Sequence, residues 1–183
     1  MRISVLLVLL VFLPMLALAA VEWHKYGGSD KDTITLGGVT LIVEAQQTTS
    51  TGFTGDDLKI TARVPYQKPT AYYFTSSYGY GAVAIHGDLL LLKYGVGRGT
   101  AGARVEHVKI LRLHSDNDDW MDELADVQVQ YWFFANPHNA GPDSFEYQLQ
   151  TKTESGFTTF TFSLPKPHAG FPSKKIVRIQ NDG

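Results

Sequence analysis

Between Thr33 and Gln180 the apolar residues return at every second position, in one strand-length run after another. Leu58, Ile60, Ala62 and Val64 alternate with Lys59, Thr61 and Arg63 and stop at Pro65. Side chains of an extended chain point to opposite faces in turn, so this period makes a half-buried strand and not an amphipathic helix. The same reading holds for residues 33–45, 70–77, 82–95, 106–114, 127–135, 144–153, 156–165 and 174–180. Gly, Pro, Asn and Asp clusters separate these runs at intervals of about ten residues, the spacing of a sandwich or barrel. The sequence therefore predicts an all-β antiparallel β-sandwich, of Ig-like or jelly-roll type, with a small β-barrel as the alternative. "TLGGVT" (35–40) reads as a hairpin turn, and the proline-rich "LPKPHAGFP" (164–172) as a loop before the last strand.

One segment departs from that period. "SDNDDWMDELAD" (115–126) starts with Ser115 and Asp118 spaced like a capping box and places Trp120, Met121 and Leu124 on one helical face. A short helix near 116–125 is expected there.

Ahead of the strands, Met1-Arg2 precede an uncharged apolar run over 3–21 that ends in Ala17-Leu18-Ala19. A short apolar stretch closed by small residues is the pattern of a secretory signal. Residues 1–19 are expected to be a signal peptide, with 20–183 as one domain in the periplasm or outside the cell and no stable membrane insertion after cleavage. The absence of cysteine rules out a disulfide framework and thiolate chemistry. With 16 Lys+Arg against 18 Asp+Glu, a formal charge of −2, no basic field invites nucleic acid.

Gly97, Gly99 and Gly102 spell G-x-G-x-x-G. A dinucleotide fingerprint needs a helix after its last glycine, so that the helix N-terminus meets the pyrophosphate. "ARVEHVKILRLH" (103–114) alternates instead. It predicts a strand, leaving Arg98 as an exposed cation on a β-loop.

His114, Asp116 and Asp118 alternate, and in extended chain would face one side as ligands for calcium or zinc. Counted from Asp116, Met121 and Val127 fall where a calcium loop needs glycine and glutamate, so no EF-hand is formed. Capping of the expected helix accounts for the same acids, and no other cofactor is implied. For catalysis, His86 with Asp88 and His138 with Asp143 are acid–base pairs by spacing alone, with no nucleophile motif beside them. No catalytic residue is assigned.

The aromatic residues are more telling. "YWFF" (131–134) has large rings on both faces of its strand, which suits a strand covered on both sides or one that meets a partner. In "SSYGYG" (76–81) Tyr78 and Tyr80 sit between glycines, as in recognition loops. Tyr78, Tyr80, Arg98 and Trp132 are the candidate ligand contacts. The function expected is an exported cell-envelope binding or assembly module, non-catalytic, recognising a glycan or protein partner. A periplasmic or secreted hydrolase using His/Asp acid–base residues is the alternative, and a small outer-membrane β-barrel the second.

Overall fold

A computed structural model describes residues 19–27, 30–46, 56–77, 80–96, 103–113, 120–136, 139–140 and 144–181, with the backbone alone at 19–20, 56, 103–104, 132–136 and 139–140. The strands are β1 (Ala19–Ala20), β2 (His24–Tyr26), β3 (Lys31–Leu36), β4 (Val39–Ala45), β5 (Asp56–Arg63), β6 (Thr70–Ser76), β7 (Gly81–His86) and β8 (Leu89–Val96). They continue as β9 (Ala103–Arg112), β10 (Asp122–Asn136), β11 (Asn139–Ala140), β12 (Phe145–Glu146), β13 (Gln148–Glu154), β14 (Phe157–Ser163) and β15 (Lys174–Gln180). No helix occurs among the described residues.

The strands pair antiparallel into three sheets: an N-terminal sheet β3-β4-β5-β6, a curled central sheet β11-β10-β9-β8-β7-β2 with β12 added to β10, and a C-terminal sheet β1-β13-β14-β15. The central sheet curls like half a barrel, and its end strands, β2 and β11, do not pair with each other among the described residues. The turn between β3 and β4 is made by Gly37 and Gly38, with φ of +54° and +85°. A two-residue turn of that handedness matches strand twist and favours glycine, which is why "GG" marks the hairpin.

The fold is an antiparallel β-sandwich with two dry interfaces, because the central sheet is covered on both faces. Leu41, Ile60 and Phe74 of the N-terminal sheet pack with Val83, Leu90, Leu92 and Leu111. On the other face Ala84, Leu89, Leu91 and Ile110 pack with Phe160, Phe162 and Ile179 of the C-terminal sheet. Four consecutive leucines in β8 thus divide between two cores, and all four are fully buried. A strand wetted on one side cannot carry such a run, whereas a strand covered on both sides is expected to. Each buried leucine contributes about 1.5–3 kcal/mol of transfer free energy.

The helix expected near 116–125 is not formed where the chain is described. Trp120 makes a parallel bridge to Ala71, and Asp122–Asn136 is one long strand paired with β9. Met121 faces the first core and Leu124 the second, so the residues that share a helical face belong to opposite sides of a sheet. Backbone pairing along β9 overrides the local capping pattern, as tertiary contacts commonly do. Residues 114–119 lie outside the described residues. After Gly102 the chain forms a strand, as its alternation requires.

Candidate functional site

The C-terminal sheet does not lie flush on the central one. Between them opens a cleft of about 660 Å³. Lys93, Val108 and Val129 of the central sheet form one wall, and Leu149 and Phe162 of the C-terminal sheet face them. Trp23, the segment 144–148, and Pro165, Lys166 and His168 of the loop before β15 complete the lining. A concave, mostly apolar site of this size suits a small ligand held by a few placed polar groups.

Local structure explains how these groups meet. β12 adds to the edge of β10 through Tyr131 paired with Phe145, and the Tyr147 N–H donates to Val129 O at 2.8 Å. That edge contact swings Phe145 into the centre of an aromatic cluster, with ring centroids 4.4 Å from His168, 4.6 Å from Phe171 and 5.4 Å from Tyr131. The Tyr147 hydroxyl donates to Pro172 O at 2.7 Å and pins the loop that carries Lys166 and His168. Lys175 Nζ lies 4.5 Å from the Tyr147 ring centroid and donates to Gln128 O at 2.7 Å; burial lowers its pKa.

The polar part of the cleft is an ion-pair cluster. Lys93 Nζ meets Glu146 Oε1 at 2.6 Å and Glu106 Oε2 at 3.3 Å. Glu146 is about half exposed. Lys93, Glu146, Gln148 and Lys166 together offer both donors and acceptors around rings, the mixture that hydroxyl-rich ligands require.

A second network lies on the opposite face of the central sheet. In a regular strand Glu123 and Asp126, three residues apart, point to opposite faces. Register shifts between Glu123 and Ala125, where Leu124 is the extra residue, so both carboxylates reach the face that carries Lys109. Lys109 Nζ donates to Glu123 Oε2 and Asp126 Oδ2, both at 2.9 Å. Tyr94 donates to Asp126 Oδ2 at 2.8 Å, His107 Nδ1 meets Asp126 Oδ1 at 2.8 Å, and Tyr72 of the N-terminal sheet donates to Glu123. Burial by itself raises the Asp126 pKa, but the hydrogen bonds from His107, Lys109 and Tyr94 outweigh it and hold the carboxyl well below its ordinary range. Burial likewise opposes the charge of Lys109, and its bonds to the two carboxylates win, so its pKa rises. Burial and the bond to Glu123 push Tyr72 up to about 12. The network ties three strands of one sheet to a fourth strand of another.

Of the residues nominated from sequence, Tyr80 is 41% exposed just before β7, while Tyr78 and Arg98 lie outside the described residues. Trp132 is described as backbone in β10. Pairing Gly81 to Tyr94, Val96 to Val105 and Arg104 to Trp132 puts Tyr80, Val96, Ala103 and the backbone of Trp132 at one end of the central sheet. The metal candidates His114, Asp116 and Asp118 lie outside the described residues. His86 Nε2 meets Thr153 Oγ1 at 3.0 Å and Asp88 meets Arg112 Nε at 3.5 Å; burial lowers the His86 pKa, and the nearby Asp88 charge opposes that in part, while His138 and Asp143 lie outside the described residues.

Sequence reasoning missed the cleft. Its walls come from segments far apart in the chain, and the loop 164–172, though correctly placed before the last strand, gave no sign of being a wall. The signals in the sequence were the rings of Phe145 and Tyr147 and, two strands later, a proline-rich loop with its own histidine and phenylalanine. Comparison with protein-family models, curated proteins and solved structures finds no match to this chain.

Proposed function

We propose that this chain is an exported, non-catalytic binding module of the cell envelope that takes a short glycan in the cleft between its central and C-terminal sheets. The observation that supports it is the lining itself: Trp23, Phe145, Tyr147 and Phe162 beside the Lys93–Glu146 ion pair and Gln148. Ring faces carry negative charge density and attract the C–H-lined faces of sugar rings, while charged and amide groups bond the hydroxyls. The volume, about 660 Å³, is that of a small-molecule site and leaves no room for a protein surface. Export follows from the apolar leader that ends at Ala19.

The hydrolase alternative has one contact in its favour, His107 against Asp126 at 2.8 Å. That carboxylate already accepts from Tyr94 and Lys109 as well, an arrangement suited to tying strands together.

The test is an oligosaccharide array probed with the full mature chain, followed by calorimetric titration of each hit. Wild type is expected to bind, and Trp23→Ala and His168→Ala to bind about tenfold more weakly, the equivalent of about 1.4 kcal/mol. No hit on the array, or hits unaffected by both substitutions, would refute the cleft as a glycan site.

A further inference from the structure

On the far side of the molecule, the outer face of the N-terminal sheet exposes two large rings. Trp120 is 53% and Tyr73 47% exposed, and their ring centroids are 5.3 Å apart at 45°. Neither is a stray surface side chain. Trp120 is fixed by its bridge to Ala71, by the Met121 N–H donating to Ala71 O at 3.0 Å, and by Met121 itself, which is buried in the first core. That anchoring extends the outer face past the edge strand β6 and brings the indole beside Tyr73.

Polar groups lie on the Tyr73 side of the pair. Lys59 Nζ lies 5.6 Å from the Tyr73 ring centroid. A recess of about 360 Å³ opens next to Tyr73, lined by Gln46, Asp57 and Thr75, with Thr75 Oγ1 donating to Asp57 Oδ1 at 2.7 Å. The strand register continues the face as Tyr73, Lys59, Glu44 and Lys31, a charged row, with the partly exposed Ala71 and Ile42 in the row beside it.

Size decides between occupants. A fully exposed Tyr or Trp offers about 150–250 Å², so two half-exposed rings present roughly 200 Å². Protein partners need about 800 Å² a side, with an apolar centre. Two tilted rings with an amide, a carboxylate and an ammonium beside Tyr73 match the face of one or two sugar units instead.

We infer that Tyr73 and Trp120 form a second, open stacking platform for a polysaccharide chain, with Asp57, Lys59 and Gln46 bonding its hydroxyls. The inference rests on the glycan reading of the cleft for its ligand class, and it adds a site of different geometry: an exposed face suits the flank of a long polymer, the cleft a short segment. A chain that touches both at once is held far more tightly than by either alone, through effective concentration.

The test uses the full mature protein and total cell-envelope polysaccharide immobilised on resin. The double variant Tyr73→Ala/Trp120→Ala should stay folded with a melting temperature only a few degrees lower, since each ring is about half exposed, yet its retention should fall about tenfold or more. Its affinity for short soluble oligosaccharides should stay at the wild-type value, whereas Trp23→Ala should weaken both. Wild-type retention by the double variant, no retention of wild type, or capture of envelope protein in place of polysaccharide would overturn the platform. Loss of soluble binding in wild type alone would overturn the cleft reading and leave the platform result to stand by itself.

Discussion

Leu90 and Leu91 are neighbours in the chain and belong to different hydrophobic cores, Leu90 to that shared with the N-terminal sheet and Leu91 to that shared with the C-terminal sheet. Their side chains point to opposite faces of a sheet that has no wet side at this position.

Leu90→Ala and Leu91→Ala are therefore each expected to lower unfolding free energy by about 2–5 kcal/mol, through transfer and cavity terms. Urea denaturation of the two variants checks this. In a two-layer sandwich one of the pair would face water and cost only about 0.5 kcal/mol.

Gly81 sits under a crossing hydrogen bond in which the Tyr26 hydroxyl donates to Lys93 O at 3.1 Å. A Cβ at Gly81 would lie 2.0 Å from Lys93 O and 2.5 Å from the Tyr26 oxygen. The nearer atom belongs to the backbone of the paired strand and has no rotamer to retreat to. Gly81→Ala should cost about 1–3 kcal/mol, read as a lower melting temperature, and adding Tyr26→Phe should leave the clash in place.

Acid should loosen the Lys109 network in a defined direction. Asp126 has its pKa depressed in the folded state, so its contribution is present above the unfolded value of about 3.9 and is lost as pH falls below that toward the folded value. Wild type should lose urea resistance progressively from about pH 5 downward. Asp126→Asn should be less stable at neutral pH and show a shallower acid decline; an unchanged slope would remove Asp126 from the network's pH response.

On the alkaline side the sign reverses. Tyr72 titrates at about 12, above its ordinary value, so it stabilises the fold below the unfolded tyrosine range and that contribution disappears as pH rises through about 12. Ultraviolet titration of phenolate should show a late step near 12 for Tyr72, beside the burial-raised Tyr26, Tyr94 and Tyr147, and in Glu123→Gln that step should move down toward the ordinary range while burial still holds it raised. Persistence of the late step in that variant would assign it to another ring.

How much of this was readable in advance follows from what carries the signal. The strands read over 57–65 and 174–180, observed as Asp56–Arg63 and Lys174–Gln180, and the glycine hairpin at Gly37–Gly38 were legible because period-2 patterning and turn chemistry are local. The "LLLL" run is continuous because both faces are covered, and that signal was in the sequence, although the second packed layer was not drawn from it. The segment around Trp120 misled because Asp118, Met121 and Leu124 satisfy helix rules locally, while the pairing with β9 that decides the outcome is distant. The bulge that aligns Glu123 with Asp126 leaves no mark in a hydrophobic pattern. Nor does the cleft, whose Trp23, Lys93, Phe145 and His168 are brought together only by stacking of sheets.

The most direct measurement is a two-dimensional amide and indole NMR titration of the mature chain with a short oligosaccharide from the array. Saturable shifts should appear at the Trp23 indole, Gln148 and the backbone of Lys166 and His168, with one dissociation constant shared by all four. Shifts confined to other surfaces, or none at any oligosaccharide concentration, would contradict a glycan site between the two sheets.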